Sequence, residues 1–351
     1  MSLFSSVEKA PNDPILGLNE QFAADQNPKK VNLSVGVYFD ETGKLPLLEC
    51  VQKAERLLME TPKPRGYLPI DGIAAYDAAV KNLVFGAGSD PVNSGRVATV
   101  QALGGTGGLK IGADFLKKLN PAAKVLVSDP SWENHRALFS QAGFTVESYP
   151  YYDAVKRGVN FEGMLAALKA APEGTIVVLH ACCHNPTGYD LTPAQWDQIV
   201  PVFKERKLVP FLDMAYQGFG QGIAEDGALV QKFVAAGGDF LVATSFSKSF
   251  SLYGERVGGL SVFCASKDEA DRVLSVLKVM IRTNYSNPPT HGGAVVATVL
   301  NTPELRALWE QELADMRNRI RQMRVLLVAN LKSAGVKQDM GFITDQVGMF
   351  S

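Results

Sequence analysis

The chain has 351 residues, 46% hydrophobic and 20% charged, and its 35 Lys and Arg against 36 Asp and Glu leave a formal charge of -1. That balance gives no electrostatic reason to expect nucleic acid or an acidic membrane as partner, which leaves small molecules and other subunits. Glu8, Lys9, Pro11 and Pro14 interrupt the opening stretch where a signal peptide needs an apolar run, and the most apolar windows reach only about half a bilayer span. Four cysteines, Cys50, Cys182, Cys183 and Cys264, are too few for a disulfide scaffold, so a cytoplasmic protein with free thiols is expected.

From about residue 96, short runs rich in Val, Leu and Phe alternate with amphipathic stretches of helical length, which predicts an α/β fold with a mostly parallel central sheet covered by helices. The expected strands are VATVQAL, KVLVSD, TIVVLHACC, VPFLDMAY, FLVATSFS and GGLSVFCA. Among the connecting helices, LTPAQWDQIVPVFKERK begins with Thr192 as cap and Pro193 in the first turn. Ligands of such sheets sit beyond the carboxyl ends of the strands, so the residues that follow each apolar run are the candidates for chemistry. After residue 302 the pattern becomes one long helix, with Leu305, Leu308, Leu313, Met316, Ile320, Met323 and Leu327 at helical spacing, leading towards a second domain.

Four segments carry chemical potential. LGGTGGLKIGADFLKKL sets glycines and Thr106 at a strand-to-helix junction, where backbone N–H groups and the helix dipole favour a phosphate. It lacks the Gly-Lys-Ser/Thr close of a P-loop, and Lys110 replaces the last glycine of a dinucleotide fingerprint, so structural glycines remain the competing reading. HACCHNPTG could put His180, Cys182 and His184 on one face as metal ligands, but no second ligand pair follows at zinc spacing; the turn after it projects Asn185 from a strand end. In FLDMAYQGF, Asp213 and Tyr216 close a strand, where an aspartate alone reads as a helix cap. In SFSKSFSLYGERVGG, Lys248 follows a strand among hydroxyls, with Arg256 eight residues on; alone it reads as solvated surface.

Taken together the four segments meet the needs of pyridoxal phosphate. Lys248 offers the amine for its aldehyde, Asp213 an acid for its pyridine nitrogen, and Tyr216 with Asn185 donors for its phenolate oxygen. Arg256, Ser245, Thr106 and Gly105 offer cation and donors for its phosphate.

The sequence also resembles the class I aminotransferases of the aspartate and aromatic amino acid type, closest to the bacterial aromatic enzymes. The resemblance runs through VNLSVGVYFDETG, YLPIDG, GGTGGLK, SDPSWENH, CCHNPTG, LDMAYQGF, SFSKSFSLYGERVGG and IRTNYSNPP. It implies a fold type I enzyme with pyridoxal phosphate held as an imine by Lys248, which also carries the transferred proton. Asp213 pairs with the ring nitrogen with His135 behind it, Tyr216 and Asn185 bind the phenolate oxygen, and Trp132 stacks on the ring. Gly105, Thr106, Ser245 and Arg256 bind the phosphate. It further implies a homodimer in which Tyr67 reaches the neighbour's phosphate and Arg282 the neighbour's substrate carboxylate, while Gly36 closes over the substrate. The implied reaction moves the amino group of aspartate, glutamate, tyrosine or phenylalanine to a 2-oxo acid such as 2-oxoglutarate.

The implied organisation is an N-terminal arm with part of a small domain over 1–45, a large cofactor domain over 46–302, and a linking helix with an incomplete small domain over 303–351. The family's pattern continues past GMFS to an arginine for the substrate α-carboxylate, and no residue up to Ser351 is given that role. A chain that binds cofactor without efficient turnover, and another fold type I enzyme such as a lyase or decarboxylase, are the alternative readings.

Overall fold

The computed structural model of the chain describes residues 2–10, 16–32 and 36–349. The expected apolar runs become a seven-stranded sheet, accompanied by a two-stranded ribbon. In chain order the strands are β1 (Val97–Leu103), β2 (Lys124–Asp129), β3 (Thr145–Pro150), β4 (Tyr152–Asp153), β5 (Gly158–Val159), β6 (Ile176–His180), β7 (Val209–Met214), β8 (Phe240–Ser245) and β9 (Val257–Phe263). The sheet order is β1-β9-β8-β7-β6-β2-β3, and β4 pairs with β5. The four pairings between β3 and β8 are parallel, whereas β9 runs antiparallel to both β8 and β1.

Side chains of a strand alternate between its faces, and here both faces are apolar. Val177, Leu179, Leu212, Phe240 and Val242 join one buried cluster with Trp196, Ile199, Val295 and Leu305 from helices. Ile176, Val178, Phe211, Leu241 and Ala243 join another with Leu109, Ile111, Phe115, Leu277 and Ile281. The result is a three-layer helix–sheet–helix sandwich whose strands are too apolar for any position but its middle.

The sequence reading departs from the structure at strand ends. TIVVLHACC leaves the ladder after His180, because Cys183 takes a positive φ of 51° and the Asp190 carboxylate accepts the N–H groups of Cys183 and His184. β3 was not among the expected strands. It is an edge strand whose Thr145, Glu147 and Ser148 face solvent, so it lacks the apolar signature of its neighbours. The Thr192 cap is as expected: its hydroxyl accepts the Gln195 N–H while the Gln195 side chain accepts the Thr192 N–H, a capping box.

The long helix spans Pro303–Ser333. Leu305, Leu313 and Met316 are buried as the spacing predicts, but Met323 and Leu327 are 40% and 44% exposed, and the buried residue of that turn is Arg324. Trp309, Arg317 and Arg321 bind the helix to the carbonyls of Ser249, Gly218 and Gly220 in the loops beyond β8 and β7. No described helix is long and apolar enough to cross a membrane.

Candidate active site

The carboxyl ends of β6, β7 and β8 lie side by side, with His180 opposite Asp213 and Asp213 opposite Ala243 in the ladder. Asp213 is 5% exposed, and its Oδ2 lies 2.9 Å from Nε2 of the fully buried His135. The other ring nitrogen of His135 meets Ser131 Oγ at 2.9 Å. Burial pushes the Asp213 carboxyl up, but the bond from His135 and the charges of His135 and Lys248 outweigh it and hold the group below its ordinary range. A buried carboxylate kept ionised in this way suits a protonated heterocyclic nitrogen. Trp132 stands edge-on to His135 at 5.2 Å between ring centroids.

Lys248 lies three residues past the end of β8, half-buried, with Nζ 4.7 Å from the centre of the Tyr216 ring. Its amine makes no hydrogen bond to any described residue. Burial lowers its pKa, Asp213 opposes the shift, and Arg256 adds to it. The amine is therefore more readily deprotonated than that of a surface lysine, which a carbonyl-condensing amine requires. Tyr216 is buried, and burial followed by the Asp213 charge pushes its phenol up, so it is a hydrogen-bond donor rather than a phenolate.

The anion end is built where β1 turns into the helix Gly104–Leu119, whose N-terminus carries no side-chain cap. Gly104 has φ +70, and a Cβ there would come 2.6 Å from Arg256 Nη2; at Gly105 it would come 3.1 Å from Ser245 Cβ. The missing side chains thus let the helix N-terminus, with Thr106 in its first turn, close on Ser245 and Arg256. The Gly104 N–H donates to the Arg256 carbonyl at 3.0 Å, and the Arg256 guanidinium is held by the Tyr253 carbonyl at 2.9 Å and Ser247 Oγ at 3.4 Å.

The expected residues therefore converge for the most part: Lys248, Asp213, Tyr216, His135 and Trp132 at one end, Gly105, Thr106, Ser245 and Arg256 at the other. Asn185 is half-buried on the turn after β6, and its amide bonds to no described residue. Gly36 is half-buried, and two residues later the Tyr38 N–H donates to Tyr253 Oη at 3.2 Å, near Arg256 in sequence. Tyr67, 94% exposed, and Arg282, exposed with Nη1 donating to Ser286 Oγ, touch none of these groups within the chain.

The metal alternative at His180, Cys182 and His184 is not supported, because both ring nitrogens of His184 are engaged, by Ser128 Oγ and Thr187 Oγ1 at 2.8 Å each. The sequence reading missed two neighbours of the site. Ser247 was one hydroxyl among several. His180, read only as a possible ligand, packs between His135 and His184 at ring separations of 5.0 and 4.3 Å. Its strand-end position next to Asp213 in the sheet was the available signal.

An amine beside an ionised buried acid, with an anion cup at a glycine-rich helix start, fits pyridoxal phosphate group by group. A family model described as aminotransferase class I and II matches residues 28–351. The chain belongs to this family.

The aminotransferase is 62% identical over 351 residues to an aspartate aminotransferase of Pseudomonas aeruginosa, covering 100% of this chain and 88% of that protein. It is 49% identical to the aromatic-amino-acid aminotransferase of Escherichia coli, covering 99% of this chain and 88% of that one. Its fold superimposes with a TM-score of 0.97 and 67% identity on a crystal structure of an aromatic-amino-acid aminotransferase from Burkholderia pseudomallei covalently bound to pyridoxal phosphate, covering 99% and 87% of the two chains. The aminotransferase is thus a fold type I enzyme whose cofactor is pyridoxal phosphate and whose reaction is amino-group transfer; its relatives do not favour the lyase or decarboxylase alternative.

Proposed function

We propose that the enzyme moves the amino group of aspartate or glutamate, and of tyrosine and phenylalanine, to a 2-oxo acid such as 2-oxoglutarate, in two half-reactions on one site. Relatives named for aspartate and for aromatic amino acids, at 62% and 49% identity, support both donor classes. When bound, the cofactor supplies an electron sink for the pair left at the substrate's Cα. Lys248 Nζ, made less basic by burial, would take the Cα proton and deliver it to C4′ of the cofactor. Asp213, kept ionised by His135, holds the proton on the cofactor's ring nitrogen. Tyr216 and Asn185 donate to the phenolate oxygen, Trp132 covers the ring, and Gly105, Thr106, Ser245 and Arg256 hold the phosphate.

The exposure of Tyr67 and Arg282 supports a homodimer in which each completes the other subunit's site, Tyr67 at the phosphate and Arg282 at a substrate carboxylate. Gly36 belongs to the segment that closes over substrate. Residues 46–302 form the cofactor domain, with 1–45 and 303–351 belonging to the arm and smaller domain, and the cytoplasm is the compartment. The observation that carries the reading is the Lys248 amine, which bonds to no described residue, lies 4.7 Å from the centre of the Tyr216 ring and feels the charge of Asp213. Steady-state rates with aspartate and with phenylalanine, before and after Arg282→Leu, test the two donor classes and the role of Arg282. We expect aspartate turnover to fall by about two orders of magnitude and phenylalanine turnover to change little, as follows from losing one charge-assisted pair. An equal loss for both donors contradicts the assignment of Arg282.

A further inference from the structure

We propose that Arg324 and Gln346, far along the chain from every residue assigned above, are positioning residues for the turn that carries Asn185. The inference rests on the reading of Asn185 as a donor to the cofactor's phenolate oxygen.

Arg324 is 5% exposed although Met323, Val325, Leu326 and Leu327 around it are open to solvent. A buried guanidinium requires a purpose for its donors. Here the fork grips backbone: Nη1 donates to the Gln346 carbonyl at 2.8 Å and Nη2 to the Gly348 carbonyl at 2.9 Å. The segment so held is applied to the turn after β6. The Val347 N–H donates to the Gly188 carbonyl at 2.7 Å, and Gln346 Nε2, itself 8% exposed, donates to the Thr187 carbonyl at 2.9 Å. Gly348 has φ +76 and lies so close that a Cβ on it would come 2.7 Å from Cys183 Cβ.

Thr187 and Gly188, on one flank of Asn185, are thus held from outside by hydrogen bonds, and Cys183 on the other flank lies packed against Gly348. From inside, Asp190 binds the N–H groups of Cys183 and His184, and His184 is tied to Ser128 on β2. Asn185 itself makes no side-chain bond to a described residue, so its aim depends on the backbone of this turn. A planar fork spanning two carbonyls two residues apart is a task for arginine, and lysine offers a point donor in its place.

The readout is the pH titration of the cofactor's absorbance in the loaded enzyme. A donor to the phenolate oxygen stabilises its anion and favours loss of the proton from the linked nitrogen, so weakening that donor raises the titration midpoint. Asn185→Ala should raise it by about one pH unit, the scale of one hydrogen bond to a charged group. Gln346→Ala and Arg324→Lys should each raise it in the same direction by a fraction of that, and neither should move it further in the Asn185→Ala background, because their effect runs through Asn185. If Arg324→Lys does not fold, Gln346→Ala decides alone.

A midpoint unchanged by Gln346→Ala, or shifted equally with and without Asn185, overturns the inference while leaving the Asn185 assignment standing. A midpoint unmoved by Asn185→Ala itself overturns the assignment, and the inference with it.

Discussion

The indole Nε1 of Trp309 donates to the carbonyl of Ser249 at 2.7 Å, one residue beyond Lys248, while its ring stacks on Phe250 with centroids 4.6 Å apart. The largest fully buried side chain among the described residues therefore braces the turn that presents the reactive amine. Trp309→Phe keeps the stack and leaves the Ser249 carbonyl without its donor, which should cost about 1–3 kcal/mol. Trp309→Ala removes the packing as well and should cost about 3–5 kcal/mol. Urea unfolding of the two variants checks this, and a phenylalanine variant as stable as the parent would contradict it.

Burial, followed by the neighbouring His135, holds the His180 imidazole down to about 3 from an ordinary 6.5, with Asp213 opposing; His184 also faces it. The unfolded chain binds a proton near pH 6.5 that the folded chain refuses until about pH 3. The contribution of this group to stability is therefore complete above 6.5 and is lost as pH falls towards 3, at about 1.4 kcal/mol per pH unit. His180→Asn removes the titration. Unfolding free energies measured at about pH 6 and about pH 4.5 should fall less steeply in the variant by that amount. Equal slopes in the two proteins would mean that His180 is charged in the folded state.

In an ordinary helix interior, alanine in place of glycine stabilises by roughly 0.5–1 kcal/mol. Gly108 should behave oppositely. A Cβ there would sit 2.6 Å from the Gly259 carbonyl oxygen on β9, and backbone on both sides has nowhere to go. Gly108→Ala should destabilise the protein by about 1–3 kcal/mol and, by pushing the helix start away from Ser245 and Arg256, weaken retention of the cofactor. Thermal unfolding and the rate of cofactor loss on dilution measure the two effects; a stabilised variant would show that the helix can retreat from the strand without strain.

Much of this was legible in the residues because buried parallel strands are almost unbroken apolar runs. VATVQAL and KVLVSD match β1 and β2 residue for residue. β3 was hidden because an exposed edge selects Thr, Glu and Ser, which carry no strand signature. The site was legible where chemistry is local, as in Lys248 after β8 and the glycines at Gly104–Leu119. It was not legible where function depends on a long-range approach. The spacing of the long helix marks Met323 and Leu327 as the inner face, yet Arg324 lies inside, because the carbonyls it binds belong to a segment more than twenty residues on. His180 and Trp309 likewise become meaningful only once the sheet register and the Ser249 turn bring them beside Asp213 and Lys248.

Whether Lys248 is the amine that holds the cofactor can be read chemically, by reduction of the loaded enzyme with borohydride followed by proteolysis and peptide mapping. A single pyridoxyl-lysine is expected, at position 248, with no reduced adduct in Lys248→Ala. A pyridoxyl group on any other lysine, or labelling of Lys248→Ala at the level of the parent, would contradict it.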